Sequence, residues 1–304
     1  MGKMKISCCW LYAISKYGYP PSLEDTRKVL GEMKSLGFKY VELEGVKNDG
    51  MKMIYQHKEE LRDLCGKLGL SIINFCPILP DIASMDYDKR EKAFEAFYMG
   101  VETAKYFGAE TVQTDSFVPP LKFKGETPYK DALKYGRSFQ VEVDMTYNWE
   151  KHWEIITDSY RKCTEISAKD NLKFCLEPRV GELISNTDAF LRLSDAVNNR
   201  NFGMVLDTAH QHAQKEILPF SVEKAGDKIF YLHVADNDGR INEHLACGKG
   251  NIDFEGIFIA LKKHDFGGYV AIDVGNVDDI DIQYLDSVKY LKNLFERLDI
   301  DYEI

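Results

Sequence analysis

Four apolar runs in the second half of the chain each end on a side chain that can ligate a hard or borderline metal. Phe174-Cys175-Leu176 leads to Glu177-Pro178, and Met204-Val205-Leu206 leads to Asp207-Thr208-Ala209-His210. Tyr231-Leu232 leads to His233, and Val270-Ala271-Ile272 to Asp273. A carboxylate alone in apolar surroundings costs several kcal/mol, so such groups must share a cation, a proton or hydrogen bonds. Three carboxylates converging on one imidazole are best neutralised by a divalent ion. Mixed oxygen and nitrogen donors suit Mn, Mg, Co, Zn or Fe without distinguishing them. Taken singly, an acidic residue closing a strand is more often a helix N-cap, and a single His there a hydrogen-bonded structural residue. Four such endings on four consecutive strands are far more specific than any one of them.

The elements that must position these residues alternate along the chain. Candidate strands are Lys5–Trp10, Tyr40–Glu44, Ser71–Cys76, Thr111–Thr114, Lys173–Glu177, Gly203–Asp207, Ile229–Val234 and Tyr269–Asp273. Between them Leu23–Leu36, Lys58–Leu68, Lys89–Phe107, Trp153–Ala168, Thr187–Val197, Phe254–Lys263 and Asp281–Leu298 carry apolar residues at helical spacing. Ser22 and Asn186 look like N-caps, and Gly37, Gly69, Gly108 and Gly267 stand where C-cap glycines belong. Eight such units predict a (β/α)8 TIM barrel forming a single domain over 1–304. All four metal candidates then sit at strand C-termini, the catalytic face of such a barrel. Residues 115–151, containing Pro119-Pro120, Gly125, Pro128 and Gly136, are too long for an ordinary loop. They form an insertion after the fourth strand, read either as a lid or pocket wall or as a partner contact.

Leu176-Glu177-Pro178, Leu206-Asp207-Thr208-Ala209-His210, His233 through Gly239 and Gly248-Lys249-Gly250-Asn251-Ile252-Asp253-Phe254 together resemble the signature of the xylose isomerase-like TIM barrels. That superfamily includes ketose 3-epimerases, hydroxypyruvate isomerases, inosose dehydratases and endonuclease IV. The resemblance covers nearly the whole chain, is densest from 174 to 275, and leaves out the insertion. It implies one divalent metal held by Glu177, Asp207, His233 and Asp273, with Glu177 and Asp273 also exchanging substrate protons. It further implies that His210 hydrogen-bonds a substrate oxygen. The implied activity is isomerisation or epimerisation of a sugar or keto-sugar through a metal-bound enediolate, with manganese among the usual ions. Asp273 stands where the epimerases carry Glu. Its shorter reach leaves room for β-elimination, as in a keto-sugar or inosose dehydratase or an oxidised-glycoside lyase. A metal-containing sugar-binding protein without turnover is the third reading. Against endonuclease IV, Asn242 replaces a ligand Asp, and Asn74, Cys76, Thr114 and Asp115 occupy the regions of missing histidines.

Beyond that set, His244, Arg240, Glu44 and Trp10 are candidate substrate-binding residues; Glu243 and Lys249 read more readily as solvated loop positions. Strand alternation is taken to turn only one of Glu42 and Glu44 inward, with Glu44 preferred. His212 reads as capping a following helix, and Trp10, Phe75, Trp149 and Trp153 as core unless they stack on a sugar. Gly248-x-Gly250 is too short for a nucleotide fingerprint and reads as a tight turn. A net charge of −10 argues against nucleic acid and anionic membranes as partners, while a hydrophobic fraction of 44% supports a large core. Seven cysteines without a CxxC pair suit reduced thiols, and no segment reads as a signal peptide or membrane span, so the expectation is a cytoplasmic protein acting on a small carbohydrate or cyclitol, with homo-oligomerisation implied by family habit.

Overall fold

A computed structural model describes residues 2–125, 127 and 139–304. Its eight principal strands are β1 (Met4–Cys8), β2 (Tyr40–Val46), β3 (Ser71–Ile78), β4 (Thr111–Asp115), β5 (Lys173–Glu177), β6 (Phe202–Asp207), β7 (Ile229–Val234) and β8 (Tyr269–Ile272). All pair in parallel in chain order, and β8 returns to β1 with Lys5 opposite Tyr269 and Cys8 opposite Ile272, which closes the barrel. A short β9 (Tyr302–Glu303) adds to β1 at Met4 and Lys5. Strands covered on both faces read as near-continuous apolar runs, which is why the barrel was legible without alternation.

Two packing layers hold it. Inside the barrel, Cys9, Tyr40, Ile73, Cys175, Val205, Tyr231, Tyr269 and Ala271 form one buried cluster. Tyr269 packs there against both Tyr40 and Tyr231 with ring centroids 5.5 and 6.0 Å apart. These rings fill the interior below the strand C-termini, leaving the polar residues gathered above them. Outside, Tyr160, Phe174, Phe190 and Phe202 form an aromatic group with centroids 5.4 to 6.2 Å apart. Each such pair contributes roughly 0.5–1.5 kcal/mol beyond area burial, and together they fix β5 and β6, the strands that end on Glu177 and Asp207.

Several boundaries differ from expectation. β1 ends at Cys8, and Trp10 instead precedes a helix, Leu11–Tyr17. Helices Lys47–Gln56, Thr208–Ala213 and Leu218–Ala225 also follow closely on elements they were not separated from in the sequence. They are too short, or begin too near a strand end, for periodicity to isolate them. The helix expected from Trp153 starts at Trp149, capped by Asn148, and so absorbs the end of the insertion. Within the insertion, Lys122–Phe123 pairs antiparallel with Val141–Glu142, while Pro128 and Gly136 lie outside the described residues. Ser22 forms a full capping box with Asp25, and Gly69 and Gly108 are left-handed C-caps. Gly267 is not a C-cap. It packs backbone to backbone on Gly2, where a Cβ would come within 2.3 Å of the Gly2 Cα. No helix among the described residues is long and apolar enough to cross a membrane.

Candidate metal centre

Glu177 closes β5, Asp207 closes β6, His233 is the penultimate residue of β7, and Asp273 directly follows β8. One ligand atom from each lies within 4.8 Å of all the others, and all four residues are buried. His233 Nδ1 is 3.0 Å from Glu177 Oε1 and 4.0 Å from both Asp207 Oδ2 and Asp273 Oδ2. Asp207 divides its carboxylate between two tasks. Oδ1 accepts from His210 N–H at 2.6 Å, capping the helix Thr208–Ala213. Oδ2 is buried with no hydrogen-bond partner among the described residues. A bare buried carboxylate oxygen is costly, and this one faces the other three donors. The donor set of three carboxylates and an imidazole therefore fits a divalent cation.

The electrostatics show what stands in for that charge when only protons are available. Burial pushes Asp207 up to about 8, with Glu177 and Asp273 adding to the rise and His244 opposing it. Burial disfavours a charged His233, but Glu42 and Glu177 outweigh it and hold the imidazole well above its usual value. Burial would raise Glu177 and Asp273 too; His233 holds the first below the usual carboxylate range, and His244 holds the second below it. His244 itself is half-buried; desolvation lowers it, but Asp273, whose Oδ2 is 3.0 Å from its Nδ1, outweighs this and raises it to about 9. His210 moves the other way. Burial, reinforced by the neighbouring Arg179, keeps it neutral at ordinary pH.

His210 and His244 form one wall of the mouth, their rings 5.1 Å apart, and with Asp207 they make a second group of ligand-type atoms. Arg179 Nε lies 3.3 Å from His210 Nε2, and its guanidinium also pairs with Asp115 at the end of β4. Burial raises Asp115 to about 6 against the pull of Arg179. Glu182 accepts from Ser116 N–H, Ser116 O–H and Phe117 N–H at 2.8 to 3.0 Å, which ties the start of the insertion to the loop after β5. Arg240 lies exposed on the loop after β7.

Three expectations need correction. Glu42 and Glu44 are two residues apart and therefore share a face: Glu42 contacts His233, while Glu44 is raised by burial and by Asp115 and Glu42. Trp10 is 1% exposed, its side chain packed in the hydrophobic core, and its backbone N–H donates to Glu42 Oε2. His212 sits inside the helix Thr208–Ala213, with Nδ1 2.8 Å from Asn237 Oδ1, and the next helix, Leu218–Ala225, has Ile217 at its N-cap instead. Gln113, which motif reasoning did not single out, and Asn74, named there only as standing where endonuclease IV has a histidine, also reach the centre: Gln113 donates to Glu177 Oε2 at 3.1 Å, and Asn74 donates to Gln113 Oε1 at 2.7 Å. The available signal was their polarity in mid-strand, between Val112 and Thr114 and between Ile73 and Phe75.

Residues 30–294 match the family described as xylose isomerase-like TIM barrel. The chain belongs to that family. The L-ribulose 3-epimerase of Methylomonas sp. (strain DH-1) is 28% identical over 109 residues, 36% of each chain. The chain spans about half or less of the length of the curated relatives it matches first. Among solved structures, an E. coli 3-keto-D-glucoside 4-epimerase superposes with a TM-score of 0.73 at 18% identity, covering 96% of this chain and 100% of that one. The IOLI protein, solved with a bound zinc atom, superposes with a TM-score of 0.71 at 18% identity, covering 97% and 99%. At such identities the structural likeness shows the fold.

Proposed function

We propose that this chain binds one divalent metal ion through Glu177, Asp207, His233 and Asp273 and isomerises or epimerises a sugar or keto-sugar by moving a proton beside a carbonyl. One observation carries the reading: four ligand-type side chains from four strand ends converge around a buried Asp207 oxygen that has no hydrogen-bond partner among the described residues. The named relatives include epimerases acting on sugars, which agrees with it. When bound, the ion supplies charge that stabilises the negative oxygens of an enediolate. Glu177, held ionised by His233, takes the proton from carbon. His210, kept neutral by burial and Arg179, would hydrogen-bond a substrate oxygen in exchange for one of its present neighbours, Arg179 Nε or Val180 N, each 3.3 Å from a ring nitrogen. In an epimerisation the proton returned on the other face comes from the His244–Asp273 pair: His244, 3.0 Å from Asp273 Oδ2, carries it and Asp273 passes it on. In an aldose–ketose isomerisation Glu177 serves both steps.

A second reading has its own support. His244 is cationic at neutral pH and 3.0 Å from Asp273 Oδ2, so it can protonate a departing hydroxyl and turn the same abstraction into a β-elimination. A panel of keto sugars and keto-cyclitols in deuterium oxide with added Mn(II) separates the two. Solvent label in a rearranged sugar supports isomerisation or epimerisation; label with loss of water supports elimination. A panel that remains unlabelled, with the metal bound, contradicts both.

A further inference from the structure

Two of the candidate ligands, His233 and Glu177, close a ring of hydrogen bonds with Glu42, Asn74 and Gln113, five side chains from five strands. His233 Nε2 lies 3.0 Å from Glu42 Oε1, and His233 Nδ1 lies 3.0 Å from Glu177 Oε1. Gln113 Nε2 donates to Glu177 Oε2 at 3.1 Å, and Asn74 Nδ2 donates to Gln113 Oε1 at 2.7 Å and to Glu42 Oε1 at 3.3 Å. Every member is at most 5% exposed, so solvent replaces none of these bonds.

The chemistry of the partners sets the direction of each bond. Thr111 O–H donates to Asn74 Oδ1 at 2.8 Å, which turns the Asn74 amide nitrogen towards Gln113 and Glu42. Gln113 must then present oxygen to Asn74 and nitrogen to Glu177, because the reverse would set its oxygen against a carboxylate. Glu42 accepts from Asn74 N–H and from Trp10 N–H at 3.3 Å each. Both of its oxygens act as acceptors, so the proton between Glu42 and His233 belongs on Nε2. That leaves Nδ1, the atom facing Glu177, Asp207 and Asp273, as the lone-pair nitrogen once an ion is present.

We infer that Glu42, Asn74 and Gln113 are positioning residues for the metal. Glu42 fixes the Nε2–H tautomer of His233 so that Nδ1 is the ligand atom, and Gln113 occupies Glu177 Oε2 so that Oε1 is the ligand oxygen. This rests on the metal reading above. Partners of this kind, set behind the ligands, are typically worth 10- to 100-fold in metal affinity.

The test uses the full chain and Zn(II) alone. Calorimetry should give one equivalent for the parent protein. Glu42→Leu and Gln113→Leu should each bind about 10- to 100-fold more weakly. Long-range nitrogen–proton correlation spectra of histidine-labelled, Zn(II)-loaded parent protein should show His233 protonated on Nε2 and metal-bound on Nδ1; this readout is independent of whether either variant folds. Metal on Nε2, or parent-like affinity in both folded variants, overturns the inference while leaving the metal reading intact. A parent protein that takes up no Zn(II) overturns the metal reading itself, and the positioning role with it.

Discussion

Asp207 is the residue on which the metal reading turns, because one of its oxygens is committed to a helix cap and the other is buried without a hydrogen-bond partner among the described residues. Asp207→Asn keeps the cap acceptor and the volume but removes the charge. It should cut Zn(II) or Mn(II) affinity by at least tenfold by calorimetry. Without metal, its melting temperature should match the parent's below about pH 4 and exceed it increasingly as pH rises to about 8, because over that range the folded parent holds Asp207 protonated and the unfolded chain does not. The pH dependence follows from the same group. Asp207 is raised to about 8, so below that pH a proton occupies the carboxylate that an ion needs. His233 is raised as well and competes in the same sense. Metal affinity should therefore climb as pH rises towards and through about 8, with protons released on binding; affinity that falls over that range would contradict the assignment. At this scale the sequence was legible where motif and chemistry coincided, at Glu177, Asp207, His233 and Asp273. Glu42, Asn74 and Gln113 were not, because a polar residue within an apolar strand has many uses until its partners from other strands are known.

At the scale of elements, the strand ends are only as well placed as the packing behind them. Phe174 and Phe202 lie fully or almost fully buried in the aromatic group that holds β5 and β6 against the helix Trp149–Lys169. Phe174→Ala should destabilise the protein by about 3–5 kcal/mol in denaturant unfolding, the usual cost of such a cavity. Glu182→Gln acts more locally. It weakens the acceptor for three donors of Ser116 and Phe117 and should raise proteolytic susceptibility at the start of the insertion, with little change in global unfolding. Long amphipathic helices and apolar strands announced themselves by period. The helices Leu11–Tyr17 and Thr208–Ala213 did not, because one or two turns starting at a strand end leave no full repeat to read.

For the molecule as a whole, closure of the barrel brings together residues far apart in the chain, such as Glu42 and His233, 191 positions apart and 3.0 Å from each other. Eight alternating strands and helices made the barrel legible, whereas 115–151 carries no period to interpret. An acidic chain with several buried carboxylates at one end should gain stability from a cation. At a free Zn(II) concentration a hundredfold above Kd, the gain is about 2.7 kcal/mol, readable as a rise in melting temperature. The central claim, proton transfer at a metal-dependent site with Glu177 as base, is tested most directly by solvent-deuterium incorporation into keto sugars with Mn(II) present. The parent protein should label substrate only when metal is supplied, and Glu177→Gln should abolish labelling while remaining folded. Labelling that persists in Glu177→Gln, or that proceeds equally after metal removal, would contradict the account.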